Sequence, residues 1–465
     1  MQIPILSGVY SDENSDFRAA YPVNMNVVPK VTGISNAYLR PADGIIEHAT
    51  PYGIGRGGIN WLGTCYRVMG DKLVKILSDG THTVLATVPG TDQVRMHYSF
   101  DYLGIAADKK LYLWDGSTLQ RVVDVDLGSV DDMVWVDGYW MTTDGDSLIV
   151  TELNDPFSVS TLKYGSSEAD PDRIKALLKI KNEPYALNRH TMEVFDNIGG
   201  SVFPFQRIEG AQIEKGVVGR DACCVYEETI AFLGNGVNEK PAIYKALNGT
   251  VQKISTREID QVIGTFTEEQ LSTVLLETRV TDSHSFLYVH FPDQTWVYDE
   301  KASGSGQYTW VKLVSGVVGN SRYKARNFVW CYDKWLCDDP TSVRHGYLSR
   351  SVSSHYGDEV YMEFSTQIMY NQGKGAILKS VELSCLTGRT ELGKDPLVFT
   401  CYSNDGVTFS QEKSTPAGKT GERTKIIQWR SQGRMKKRRV QKFKFTSNVL
   451  LTVAALEVEF EPLYV

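Results

Sequence analysis

The strongest constraint on this chain is a short unit that recurs along it, an alternating apolar strand closed by a polar turn. Its clearest copy is Asp108–Gly116, read as Asp-Lys-Lys-Leu-Tyr-Leu-Trp-Asp-Gly. Leu111 and Leu113 alternate with Tyr112 and Trp114, the period of two expected of a strand packed on both faces. Asp115-Gly116 supplies the turn, because glycine accepts the positive φ that hairpin turns require. Looser copies are Lys72–Gly80, Ser147–Pro156, Thr191–Asn197, Ala242–Gly249, Thr295–Glu300 and Gly346–Ser351. Between Leu73, Leu111, Leu148, Met192, Ile243, Trp296 and Tyr347 the steps are 38, 37, 44, 51, 53 and 51 residues.

A period of roughly 40–50 residues holding about four short strands matches the blades of a β-propeller. A single blade cannot bury both of its faces, so blades stacked around an axis share their cores. Residues 61–355 have room for six or seven blades, and the uneven steps imply insertions in the later ones. Thr267-Glu268-Glu269-Gln270 is a capping box, and Leu271, Val274, Leu275 and Thr278 follow at helical spacing, which predicts one helix. After residue 355 the strands lengthen, as in Ala376–Leu386 and Leu451–Phe460, and the last ones alternate cleanly. The expected fold is therefore all-β. A β-propeller-like domain over 61–355 is followed by a C-terminal antiparallel β-sandwich over 356–465. Residues 1–60 are expected to form an N-terminal arm and first strands packed on the propeller.

Composition agrees with this class. The 465 residues include 24 Tyr, 9 Trp and 40 Gly, a bias towards strands and turns. A net charge of −7 argues against a globally basic nucleic-acid binder and leaves only local patches open. Seven cysteines without CxxC spacing read as reduced thiols of a cytoplasmically made protein. Met-Gln-Ile-Pro-Ile-Leu lacks the basic start and apolar core of a signal peptide. No apolar run approaches the roughly 20 residues that span a bilayer, so no membrane association is expected.

Motifs that carry chemistry are missing from the sequence: there is no HExxH, GxSxG or GxxxxGK[ST]. Gly53-Ile54-Gly55-Arg56-Gly57-Gly58 looks like a dinucleotide loop, but Ile59–Gly63 after it is not helical, so a close-packed turn is expected and no cofactor. Asp131-Asp132 and Asp338-Asp339 read as solvated turn acids. Ser403–Phe409 resembles the Asp-box of sialidase-like propellers, one residue short and present once, and reads as an Asp-Gly hairpin in the sandwich. No catalytic, cofactor or metal residue is assigned. The basic run Arg434, Lys436, Lys437, Arg438 and Arg439, with Lys442 beyond it, stands out against the acidic chain and is the candidate interface patch. It admits three readings: a protein contact, a solvated edge strand guarded by cations, or a DNA contact.

Tyr21–Met25, Tyr38–Arg40, Tyr66–Leu73, Leu127–Val130, Glu214–Gly219 and Thr267–Val297 resemble, in order, the packaged-DNA stabilization proteins, the tail-hub proteins of short-tailed phages. Gln428-Trp429-Arg430 and Ala455–Phe460 are similar as well. The resemblance implies a scaffold and no enzyme: a propeller-like domain with a further β-domain. It implies a homo-hexameric ring, a nozzle beneath the portal and its head-to-tail adaptor, in the virion tail. Such a ring extends the DNA channel through which double-stranded DNA passes without sequence-specific binding. It retains the packaged genome until ejection and carries a spike, fibre or needle. Two other readings remain open on the residues alone. A propeller glycosidase acting on cell-surface polysaccharide requires an arginine cluster with Glu or Tyr on the axis. A protein-binding adaptor requires a stable monomer with a polar central pocket.

Overall fold

The computed structural model describes residues 2–463 apart from 7–20, 31–32, 50–51, 168–169, 201, 248, 282–283 and 305–306. Each copy of the repeated unit becomes the third strand of an antiparallel sheet of four main strands, and seven such sheets stand around one axis. These third strands are Lys72–Ile76, Lys110–Trp114, Leu148–Val150, Met192–Asn197, Ala242–Leu247, Thr295–Gly304 and His345–Ser349. Asn248, in the fifth copy, lies outside the described residues.

The alternation within the unit is what stacks the blades. In blade 2, Leu111 and Leu113 pack with Met133, Trp140 and Ile149 of blade 3. Tyr112 and Trp114 point the other way, to Tyr66 and Leu73 of blade 1. The same division repeats around the ring, and each of the seven blade junctions has its own buried apolar cluster. Burying one large apolar side chain is worth about 1.5–3 kcal/mol, so a blade is stable only between two neighbours.

Two short helices, Arg257–Ile263 and Glu268–Ser272, fill the connection between blades 5 and 6. The capping box is present: Gln270 N donates to Thr267 Oγ1 at 3.3 Å and Thr267 N to Gln270 Oε1 at 3.0 Å. The helix does not continue through Leu275 and Thr278 as its spacing predicts. Leu275–Thr281 is instead the inner strand of blade 6, paired along its length with His284–His290. That ladder outweighs the local helical spacing, which never amounted to more than one amphipathic turn.

Blade 7 is closed by the other end of the chain. Its first three strands are Arg326–Cys331, Lys334–Asp338 and His345–Ser349, and its outer strand is Gly44–Ala49, with Ile45 opposite Leu348 and Ile46 opposite Tyr347. The chain then runs into Gly55–Trp61, the inner strand of blade 1. The Gly53–Gly58 run is thus the start of a strand, not a turn. A Cβ on Gly55 would sit 2.0 Å from Asp338 Oδ2, so only glycine lets blades 1 and 7 approach here.

The C-terminal domain is a two-sheet sandwich. One sheet has the order Met25–Pro29, Ala37–Pro41, Thr452–Pro462, Ala376–Leu386, Ile427–Met435, with Gln2–Ile3 added beside Thr452–Pro462. The other has Tyr361–Ser365, Arg438–Thr446, Leu397–Ser403 and Lys413–Pro416, with Met369–Tyr370 beside Arg438–Thr446. Their core includes Met25, Leu39, Phe364, Trp429, Phe443 and Val453. The N-terminal segment is therefore not simply an arm on the propeller. Met25, Val27 and Leu39 face the sandwich core, so three of its strands complete that domain and one completes blade 7. Among the described residues, no helix is long and apolar enough to cross a membrane.

Candidate functional site

The aspartate pairs expected as solvated turn acids are corrected by the propeller axis, where Asp132 and Asp338 are 0% and 2% exposed. Asp132, on the inner strand of blade 3, accepts from Arg95 Nε of blade 2 at 3.0 Å and from the Leu177 amide of blade 4 at 2.8 Å. Arg220 of blade 5 donates to the carbonyls of Gln93 at 2.6 Å and Asp131 at 3.3 Å. Glu277 of blade 6 accepts from the Asn327 and Phe328 amides of blade 7, both at 2.9 Å. Asn327 donates to the Gly55 carbonyl of blade 1 at 3.2 Å and accepts from Gln93 at 2.6 Å. One continuous set of hydrogen bonds thereby links all seven blades.

Behind it lies a buried triad. Arg67 Nη1 donates to Asp338 Oδ2 at 2.5 Å, and His345 Nδ1 lies 2.9 Å from Asp338 Oδ1. Burial alone would raise the Asp338 carboxyl, but the Arg67 guanidinium and the His345 ring together more than offset that and hold it below the usual range. The axis does hold the arginine cluster a glycosidase would need. Arg95, Arg220 and Arg326 are each engaged by carboxylates, main-chain carbonyls or Gln93 of neighbouring blades. They fasten the wheel. Among the described residues there is no group of three His, Cys, Asp or Glu placed to hold a metal. The seven cysteines form no disulfide, and burial pushes the Cys65 thiol up to about 11 and Cys223 up to about 12, which makes them poor nucleophiles.

The same burial makes the fold sensitive to acid. It pushes the His345 imidazole down to about 4 and His355 down to about 3. His345 faces Asp338, Arg67 and His48; His355 faces Ser315 Oγ at 2.6 Å, with Lys324 and Asp358 nearby. In the unfolded chain both titrate near 6.5. Between that value and the folded values, the unfolded state binds protons that the folded state does not. Stability is therefore full above about pH 6.5 and falls as pH drops, by on the order of 3 kcal/mol per histidine by pH 4. Urea midpoints at about pH 7 and pH 4.5 check this; equal midpoints would contradict it.

Between the domains, Tyr21–Asn24 acts as a joint. The Tyr21 hydroxyl lies 2.8 Å from Thr256 Oγ1 and donates to Glu258 Oε2 at 3.1 Å, while its ring stands edge-on to Trp296 at 5.1 Å. The Asn24 side chain donates to the carbonyls of Val314, at the end of blade 6, and Tyr361, at the start of the sandwich, at 3.0 and 2.8 Å. It accepts from the Val314 amide at 3.0 Å. Asn24 adopts φ +53°, a left-handed conformation that Asn tolerates better than most residues.

The basic run is split by strand geometry. Ile427–Met435 lies in one sheet and Arg438–Thr446 in the other, and Lys436 and Lys437 form the short connection that crosses between them. Arg434, Lys436 and Lys437 are exposed and Arg438 is half-buried. Arg439 is not a surface cation. It is 0% exposed, lies 3.7 Å over the Tyr402 ring, and donates to Gln441 Oε1 and the Gln432 carbonyl. Lys442 pairs with Glu363 at 3.0 Å. Residues at odd and even positions of one strand face opposite sides, so a run of like charges is divided between core and solvent. Ser403–Phe409 is the expected hairpin: Asp405 Oδ1 accepts from the amides of Val407 and Thr408, and Ser403 pairs with Phe409.

The fold is a seven-bladed propeller joined to a β-sandwich. Residues 1–353 match the family model described as bacteriophage P22 Gp10, beta-propeller, and residues 361–461 match the one described as bacteriophage P22 Gp10, beta-sandwich. The chain belongs to this family of tail-hub proteins of short-tailed phages. It is 24% identical to the tail hub protein gp10 of Salmonella phage P22 over 495 aligned residues, which cover 99% of each chain. It is accordingly a structural phage tail protein of the virion and not an enzyme. Solved propellers resemble it more loosely. The N-terminal domain of Nup159 covers 71% of this chain and 99% of its own at 9% identity and a TM-score of 0.42. The Neurospora crassa Pan2 WD40 domain covers 66% of this chain and 95% of its own at 9% identity and a TM-score of 0.41. Neither likeness bears on function.

Proposed function

We propose that this chain, made in the host cytoplasm, assembles as a homo-hexameric ring beneath the portal and adaptor, where it extends the DNA channel. In this reading the ring retains the packaged genome, lets it pass without sequence-specific binding, and attaches a spike, fibre or needle. The observation that carries the reading is the end-to-end correspondence with the P22 tail hub protein, across both domains. The architecture is suited to it. Ring closure needs two different faces that meet by rotation, and a wheel fastened through its axis presents such faces without rearranging. A net charge of −7 suits a conduit that phosphates must slide past. The cations Arg434, Lys436 and Lys437, which are exposed, and Arg438, which is half-buried, are its proposed contact with a neighbouring protein.

The test is assembly. Purified chain is incubated with particles that contain portal and adaptor but lack the tail, and is then imaged by electron microscopy. A six-fold ring below the adaptor, with protection of the packaged DNA from nuclease, is the expected result. A chain that stays monomeric and leaves the particles leaking would overturn the proposal.

A further inference from the structure

The exposed lysines of the connection between the two sheets, Lys436 and Lys437, do not stand alone. At the same end of the sandwich the two sheets part, and a cavity of about 280 Å³ opens between them, lined by Ile3, Ile368, Tyr370, Leu378, Met435 and Phe460 among others. Three of these apolar side chains reach solvent: Tyr370 is 65% exposed, Ile368 39% and Phe460 37%. The cavity is an open extension of the sandwich core, since Leu378 and Met435 belong to that core and Met369 packs against it. The two lysines border it directly. Lys436 and Lys437 directly follow Met435, which lines the cavity and pairs with Ala376, whereas Arg434, paired with the outward Ile377, and Arg438, whose neighbour Arg439 turns inward, lie on the outer faces of the two sheets. Two carboxylates also lie on this end, Glu459 and Glu461. Ser380 donates to Glu459 at 3.3 Å, and Lys379 pairs with Glu461 at 3.3 Å.

We infer that this end of the sandwich is a docking site for a partner segment that inserts one large apolar side chain between the sheets and lays flanking carboxylates along Lys436 and Lys437. The inference rests on the reading of this basic stretch as a protein contact and names the chemistry of the partner. Charge complementarity selects it. An apolar socket with two lysines at its mouth fits an acidic segment with an apolar anchor. A DNA backbone would satisfy the cations and leave the socket open, for it brings no apolar side chain and few aromatic rings flank the charges to stack its bases. A basic segment would be repelled by the rim. The socket is also built from separate stretches of chain (residues 3–4, 367–371, 376–378, 435 and 458–460), so it exists only in the folded sandwich.

The probe is a short fluorescent peptide with a central phenylalanine flanked by glutamates, titrated into the full chain and followed by anisotropy. Binding is expected to weaken by about tenfold or more when the phenylalanine becomes alanine, when Tyr370→Ala is introduced, and in the Lys436→Glu, Lys437→Glu double variant. It should also weaken as salt is raised, through screening of the rim. Both variants change exposed positions, and an unaltered thermal unfolding curve shows that the fold is intact. The inference is overturned if the peptide does not bind, if its lysine-flanked counterpart binds equally well, or if the charge-reversed variant loses affinity for a labelled DNA duplex while its peptide affinity is unchanged. None of these outcomes depends on particles. A failed ring assembly with a working socket, or the reverse, therefore tells the two proposals apart.

Discussion

Deleting residues 1–50 is expected to abolish cooperative folding of the whole chain. The segment supplies the strands Met25–Pro29 and Ala37–Pro41 and the short strand Gln2–Ile3 to the sandwich, and Gly44–Ala49 to blade 7. Its loss removes Ile3, Ile5, Met25, Val27 and Leu39 from the sandwich core and Ile45 from the junction of blades 6 and 7. At about 1.5–3 kcal/mol for each buried side chain, this loss is on the order of 10 kcal/mol, which equals the typical stability of a folded protein. It also strips Asp43 from Arg279, a guanidinium only 6% exposed, which would be left charged in the interior. The result is read by circular dichroism and thermal unfolding of the truncated chain beside the intact one. A soluble truncated protein with a sharp unfolding transition would show that neither domain needs the segment.

Asp338→Ala is expected to be the most damaging single substitution among the polar residues of the axis. Asp338 joins Arg67 of blade 1 to His345 of blade 7, across the junction beside the blade that the two ends of the propeller complete. Removing the carboxylate leaves Arg67, 0% exposed, without its counter-charge. Breaking a buried pair from one side costs about 3–5 kcal/mol, whereas replacing both partners by apolar groups of similar volume is often neutral. The double variant Arg67→Met, Asp338→Leu should therefore be closer to the intact protein than Asp338→Ala alone. Urea unfolding midpoints of the three proteins measure the difference. If Asp338→Ala unfolds at the wild-type midpoint, blade closure does not depend on this pair. If the double variant is worse than the single one, the triad is needed for its geometry and not only to neutralise Arg67.

The propeller was legible because its repeating element is local. A third strand buried on both faces must alternate large apolar residues and end in a turn, and both properties are written in about nine consecutive residues. All seven copies read from the chain are third strands, including loose ones such as Gly346–Ser351. The capping box at Thr267 was legible for the same reason, being complete within four residues. The candidate interface was only partly legible. A run of cations is visible in one dimension, but Arg439 turns inward to Gln441 and Tyr402 while Arg438 beside it is half-buried on the other face of the strand, and nothing local separates the two. The apolar socket next to them could not be read at all, since Ile3 and Phe460 come from opposite ends of the chain.

By itself, the sequence determined the all-β class, the repeating blade and the absence of catalytic motifs, because each follows from periodicity or composition over short stretches. Tertiary structure alone decided where the first strands go, how blade 7 closes, and that Asp132 and Asp338 are buried ties and not surface turns. The physical reason is the same in each case. Strand pairing and ion pairing act through space, and their energy depends on what has been brought alongside. Ile45 finds Leu348, and Arg67 finds Asp338, only after the wheel has brought distant segments within hydrogen-bonding reach.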